Sequence, residues 1–323
     1  MVDLVKIKAT LKQSFSEDPQ EDFKLKSQFK IICTSIIAEN LVEYDESPII
    51  LGVGGFSNVY KGYLHGNEVA VKRFNRSRNI EANKHNFIHE SVLSLQLHHP
   101  NLVLLIGAIF NGTENNFSLV YENMNLGSLE DYVCNFKKSI NRQFIVSILR
   151  DVADGLAYLH DIPVVHMDLK MSNVLLMSET DGVITAKLGD LGLALPVRPS
   201  NDPESYIECI RGTPAWMASE LLNEGLNKFL TPAVDMYSYG MLIWALFELK
   251  MPYSGCDIAK IYSLKAKYLL PLISDVIPEG FSKLIKKCWQ TNPSSRPTAR
   301  FTLNSLNKWI QERKRHQYRS SEA

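Results

Sequence analysis

The sequence has no charge bias. Its 35 Lys and Arg are matched by 35 Asp and Glu, a formal net charge of zero, which argues against broad attraction to nucleic acid or an anionic membrane and leaves only local patches. Cysteine is sparse. The five residues, Cys33, Cys134, Cys209, Cys256 and Cys288, form no CxxC pair, so neither a disulfide framework nor a zinc site is indicated and a reducing compartment is the default. Long apolar runs are also missing: MLIWALFEL is the longest, too short to span a bilayer. The N-terminus, MVDLVKIKATLKQSF, is charged throughout and lacks the apolar core of a secretory signal. A soluble, cytoplasmic protein is expected. No internal repeat is visible.

What is present is enough for a sizeable core: 323 residues, 36.6 kDa and 45% apolar content, as one large domain or two lobes. Residues 1–44 read as an N-terminal extension, with Leu4, Ile7, Leu11 and Phe15 at helical spacing before a polar break at SEDPQED. From 45 to 122 the runs PIILGVG, NVYKGYL, NEVAVKRF, LVLLIGAIF and FSLVYE predict strands, interrupted by one helix over NKHNFIHESVLSLQL. From 126 to 312 the texture is helical; NRQFIVSILRDVADGLAYLH puts Ile145, Ile148, Leu149, Val152, Leu156 and Leu159 on one face. Residues 313–323 close the chain as a charged, solvated tail.

Two segments of the small β-rich part carry chemistry. In LGVGGFSNVYKG, Gly52, Gly54 and Gly55 remove side chains that would keep backbone N–H groups away from an anion, although an ordinary glycine-rich hairpin has the same composition. In NEVAVKRF, Lys72 sits in a run that reads as a central strand, where an ammonium needs a partner. Glu90, on the following helix, is the candidate. A lysine held by a glutamate presents a positioned charge to phosphate oxygens; the plain alternative is a structural ion pair.

Further on, HMDLKMSN, LGDLGLA, RGTPAWMASE, DMYSYG and NPSSRPT follow in order. This set resembles the protein kinase superfamily over roughly residues 48–310. VYKG, HHPNLV, YENMNLGSL and KKCWQTNPSSRPT look like its tyrosine-kinase-like group, which mostly modifies serine and threonine. The resemblance implies an α+β, bilobal fold: a small β-rich N-lobe with one main helix and a larger, mainly helical C-lobe. It implies ATP with Mg2+ (or Mn2+) as cofactors, and protein substrates with Ser/Thr acceptors as partners.

It also implies roles. Asp168 orients the substrate hydroxyl and accepts its proton, Lys170 stabilises the transferring phosphoryl group, and Lys72 with Glu90 completes the catalytic set. Asn173 and Asp190 offer oxygen to the metal, and Gly192 permits the turn that follows. Leu51, Gly52, Val53, Gly54, Gly55, Phe56, Ser57, Asn58 and Val59 cover the nucleotide. Val59 and Ala70 lie above adenine and Leu175 below it, and backbone from Glu122 to Met124 meets its edge. Tyr121 guards the back of the pocket, as in the interleukin-receptor-associated kinases, and its hydroxyl needs a partner. Glu220 and Arg296 match a buried ion pair, and Asp235 matches the residue that accepts backbone hydrogen bonds from the catalytic loop, or else caps a helix.

Five positions depart from the pattern. Ser57 replaces the third glycine of the loop, Leu191 the usual phenylalanine after Asp190, and Ser219 the proline before Glu220. Ser94 stands where an apolar side chain normally joins a stack linking the lobes. Met167 stands where an arginine normally binds a phosphorylated activation segment, here holding Ser200, Ser205, Tyr206 and Thr213; a thioether makes no charge-assisted hydrogen bond. An active Ser/Thr kinase is the leading expectation. A nucleotide-binding pseudokinase scaffold and a tyrosine or dual-specificity kinase are the alternatives.

Overall fold

In NEVAVKRF, Val69 and Val71 alternate with Ala70 and Lys72, and a strand sends such residues to opposite faces. The structure is a computed structural model that describes residue 32 and residues 34–55, 57–74, 80–111, 116–137, 140–178, 182–197, 206–207, 212–222 and 228–321. It divides into two units, Met1–Asn125 and Leu126–Ala323.

The first unit is built on a six-stranded antiparallel sheet of β1 (Val42–Glu43), β2 (Ile50–Val53), β3 (Ser57–Leu64), β4 (Asn67–Phe74), β5 (Leu105–Asn111) and β6 (Asn116–Glu122). The order is β1-β3-β4-β6-β5, with β2 also on β3. Val42, Val69, Val71, Ile109 and Val120 pack together on one side. Phe74, Phe87, Ile88, Leu105, Ala108, Phe117 and Leu119 form a second core that includes α1 (Ile80–Ser94). β4 is therefore interior, and Lys72 with it.

Part of the segment read as an extension is joined to this sheet. Ala108 of β5 donates to Ser35 O at 2.9 Å and accepts from Ile37 N at 2.8 Å, β1 pairs with β3, and Ile32 is buried in the second core. A Cβ on Gly107 would lie 2.6 Å from Ser35 O, so only glycine admits so close an approach. Apolar side chains at 32, 36 and 37 cover an edge that would otherwise stay wet. The helical pattern from Leu4 to Phe15 lies outside the described residues.

The second unit is mainly helical. α2 (Leu129–Asn135) starts at Ser128, whose hydroxyl accepts from Asp131 N, and α3 (Arg142–Asp161) starts at Asn141, whose side chain accepts from Phe144 N. All six apolar positions expected on one face of α3 are buried. Short pairs follow: β7 (Val164–Val165) with β10 (Leu195–Pro196), β8 (Val174–Ser178) with β9 (Ile184–Leu188), and β11 (Tyr206–Ile207) with β12 (Lys228–Phe229). After α4 (Ser219–Leu222) comes α5 (Ala233–Glu248), buried from Val234 to Phe247 as its continuous apolar run requires. α6 (Ile258–Ala266), α7 (Glu279–Cys288) and α8 (Ala299–Ser321) complete the unit. α8 carries helix into the charged stretch read as a tail. Among the described residues no helix is long and apolar enough to cross a membrane.

Candidate active site

In the first unit Lys72 Nζ lies 2.7 Å from each carboxylate oxygen of Glu90, whose residue is 1% exposed. The strand fixes one partner and α1 the other. Tyr121, half-buried, donates from its hydroxyl to Glu90 Oε1 at 2.7 Å, the partner that hydroxyl needed. Cross-strand register places Val59 opposite Lys72 and Ala70 opposite Tyr121, so these four share one face.

Leu51, Gly52 and Val53 lie on β2, and Ser57, Asn58 and Val59 on β3. The turn between them carries Gly54, whose N–H donates to Ser57 O at 2.8 Å, and Gly55. Phe56 lies outside the described residues. Val53 is 77% exposed, so the loop offers backbone and side chain to solvent. Along the stretch after β6, Glu122 N is taken by Leu104 O, whereas the backbone N–H and C=O of Met124 have no partner among the described residues. A flat heterocycle with adjacent donor and acceptor would satisfy both.

Ser94 ends α1 buried, and its Oγ has no hydrogen-bond partner among the described residues. Ser94→Ala removes that orphan at little cost in volume. It is expected to stabilise the chain by about 1 kcal/mol, read as a rise in the thermal midpoint.

In the second unit the loop from His166 to Asn173 follows β7 and is pinned from below. Asp235 on α5 accepts from His166 N at 2.8 Å and Met167 N at 3.0 Å, and meets His160 Nε2 at 2.9 Å. Its position is thus that of a loop anchor and not a helix cap. Met167 is buried with φ +70°, and its carbonyl faces Gly212, where a Cβ would stand 2.9 Å away. Gly212 itself has φ +113°, which independently calls for glycine.

Asp168 is the centre of this loop. Its Oδ1 accepts from Thr213 Oγ1 at 2.8 Å; its Oδ2 accepts from Asn173 Nδ2 at 3.0 Å and pairs with Lys170 Nζ at 2.6 Å. Lys170 Nζ also donates to Thr213 Oγ1 at 2.8 Å. A carboxylate has roughly four lone-pair sites. Three donors leave room for one more, which is what a group that takes a proton from an incoming hydroxyl requires. Thr213 was legible only as a hydroxyl in the activation segment; its closure of this triangle was not.

Asn173 donates through Nδ2 to the Asp168 carbonyl at 2.8 Å as well, and no described group hydrogen-bonds to its amide oxygen. Gly189 N donates to Asn173 O at 2.9 Å, which brings the Asp190 backbone, left-handed at φ +57°, alongside. Asp190 is exposed. An amide oxygen and a carboxylate fit a hard divalent cation completed by water and phosphate. Leu175 on β8 is half-buried beside Ser128, with which it forms an isolated bridge.

Glu220 and Arg296 form a two-pronged pair, Nη1 to Oε1 at 2.6 Å and Nη2 to Oε2 at 2.8 Å. Ser219, in the place of a proline, lies 3.3 Å from Tyr237 Oη through its hydroxyl.

The sequence model of the family described as Protein kinase domain matches residues 46–310. The chain belongs to the protein kinase family. Among its relatives, a Dictyostelium discoideum protein named a probable serine/threonine-protein kinase is 33% identical over 259 residues, 80% of this chain and 27% of its own. Mitogen-activated protein kinase kinase kinase 10 of Xenopus laevis is 31% identical over 277 residues, 82% and 26%. Dual specificity protein kinase zakA of Dictyostelium discoideum is 33% identical over 274 residues, 79% and 34%. This kinase chain spans about a quarter to a third of the length of these relatives. Its motifs and relatives fit the tyrosine-kinase-like group, and members of the family generally use ATP and Mg2+.

Proposed function

We propose that the chain is an active protein serine/threonine kinase that transfers the γ-phosphoryl group of ATP to hydroxyls of protein substrates. The observation that carries this reading is the closed set around Asp168, in which Thr213, Asn173 and Lys170 hold its carboxylate with one acceptor site to spare. Asp168 takes the proton of the attacking hydroxyl, and Lys170 lies where it offsets charge on the transferred group. Lys72, steadied by Glu90, holds the nucleotide phosphates, and the β2–β3 turn covers them with backbone N–H groups. Met124 meets the adenine edge through its backbone, with Val59 and Ala70 against the ring. Asn173 and Asp190 hold the metal, which when bound offsets triphosphate charge. Serine/threonine preference is supported by Lys170 in DLKMSN and by the names of the relatives; zakA's name keeps dual specificity as the second reading. A cytoplasmic setting is supported by the free thiols Cys134, Cys256 and Cys288. The test is transfer of labelled phosphate from ATP to a protein mixture followed by phosphoamino-acid analysis. Phosphotyrosine alone would overturn the serine/threonine reading, and ATP binding without transfer would leave a scaffold.

The reading extends to control. A buried methionine at 167 offers nothing to a phosphate, so phosphatase-treated protein is expected to keep its activity and Met167→Arg to acquire a dependence on phosphorylation. Inactivity of the treated protein, unchanged by Met167→Arg, would sink the idea.

A further inference from the structure

Lys265 on α6 is fully buried, a position that lysine occupies only with a reason. Its Nζ donates to Met217 O at 2.5 Å and stands 5.1 Å from the Tyr237 ring centre and 5.5 Å from that of Tyr253. The backbone N–H of Met217 donates to Thr213 O at 3.2 Å, and Thr213 in turn donates to Asp168. Three consecutive hydrogen bonds thus run from α6 to the catalytic carboxylate.

We propose that Lys265 is a positioning residue for the phosphoacceptor: by holding the Met217 carbonyl it fixes residues 212–219, and through Thr213 it sets the geometry at Asp168 and Lys170. The proposal rests on the kinase reading for its consequence in catalysis, but not for the tie itself. No other described side chain donates to the Met217 carbonyl. Among the described residues the remaining side-chain holds on the segment come from α5, where Ser238 Oγ donates to Trp216 O at 3.0 Å and Tyr237 meets Ser219, and from the catalytic loop, where Lys170 and Asp168 hold the Thr213 hydroxyl. Removing the lysine therefore loosens one side of the segment and leaves the other in place.

The tie should respond to pH. Burial lowers the Lys265 pKa from 10.5 to about 7, against the opposing pull of Glu220. The groups facing this pocket are Glu220 on α4, itself paired with Arg296, Tyr237 on α5, and Tyr253 in the following loop with Cys256 beside it. Burial also raises the Tyr237 hydroxyl to about 12 and the Tyr253 hydroxyl further, so neither titrates in the same window. An opening that exposes Lys265 restores its ordinary affinity for a proton. The open form therefore binds more protons between about 7 and 10.5, and closure strengthens as pH rises through that window.

The experiment is amide hydrogen exchange over residues 212–219 at pH 6.5 to 9, corrected for intrinsic exchange, in the wild type, Lys265→Met and Lys265→Gln. Wild-type protection is expected to rise above pH 7 by up to about tenfold per pH unit. Lys265→Met should lose both protection and pH dependence. Lys265→Gln, which keeps a donor without a titrating charge, should recover protection but not the pH dependence. With a protein substrate at saturating ATP, the methionine variant should lose acceptor kcat/KM and the glutamine variant regain it. Wild-type protection that is flat above pH 7, or a glutamine variant with the wild-type pH response, overturns the proposal even if the methionine variant does not fold. Absence of transfer by the wild type would strike the kinase reading alone, because exchange reads the tie without turnover.

Discussion

Asp168→Asn is expected to remove phosphoryl transfer, with kcat falling by roughly 10²–10⁴-fold, while ATP still raises the thermal midpoint. The fold should tolerate the change for a reason visible in the donors. Asn173 and Lys170 both address Oδ2, so the new amide keeps its oxygen there and turns its NH2 toward Thr213. The Thr213 hydroxyl rotates and accepts instead of donating. What disappears is the negative charge and the proton acceptor, neither of which an amide supplies. Steady-state rates with a protein substrate, beside ATP-dependent melting of both proteins, decide the matter. A variant within tenfold of the wild type would take Asp168 out of this role.

How far the site was legible depended on whether its parts communicate along the chain or across it. β4 could be read because Val69 and Val71 alternate with Ala70 and Lys72, and α3 because six apolar residues recur on one face; both patterns are local. Lys72 with Glu90 followed from the cost of a bare ammonium in a central strand, which asks for a carboxylate nearby. Thr213 lies 45 residues from Asp168 and Lys265 lies 48 from Met217, so no periodicity links either pair. Lys265 in IAKIYSLKAKYLL looks like one of several solvated lysines, because nothing in its neighbours announces the pocket of Tyr237 and Tyr253. The pairing of Ser35 and Ile37 with Ala108 was hidden for the same reason: the 34–37 stretch is too short to show alternation, and only the bare edge of β5 gives it a place.

Arg296→Ala is expected to cost about 3–5 kcal/mol of stability, on the order of a 10 °C fall in Tm for a chain of this class. The arginine side chain has no exposed surface, and it donates to Ala233 O and Gln290 O, each at 2.9 Å, besides gripping Glu220 with both prongs. Truncation therefore orphans two carbonyls and leaves a carboxylate, 28% exposed, without its counter-charge. That residual exposure lets water reach Glu220 and places the effect toward the lower end of the range. Arg296→Lys should fall between, because an ammonium keeps the charge but cannot reproduce the fork. Lys283→Ala, which breaks an exposed pair with Glu279 whose side chains are 69% and 82% accessible, is the control and should leave Tm unchanged. Equal shifts in Arg296→Ala and Lys283→Ala would mean that the buried pair contributes no more to stability than a solvated one. Among the described residues, the anchoring of residues 212–220 would then rest on Ser238, Tyr237, Lys265 and the Thr213 contacts with Lys170 and Asp168.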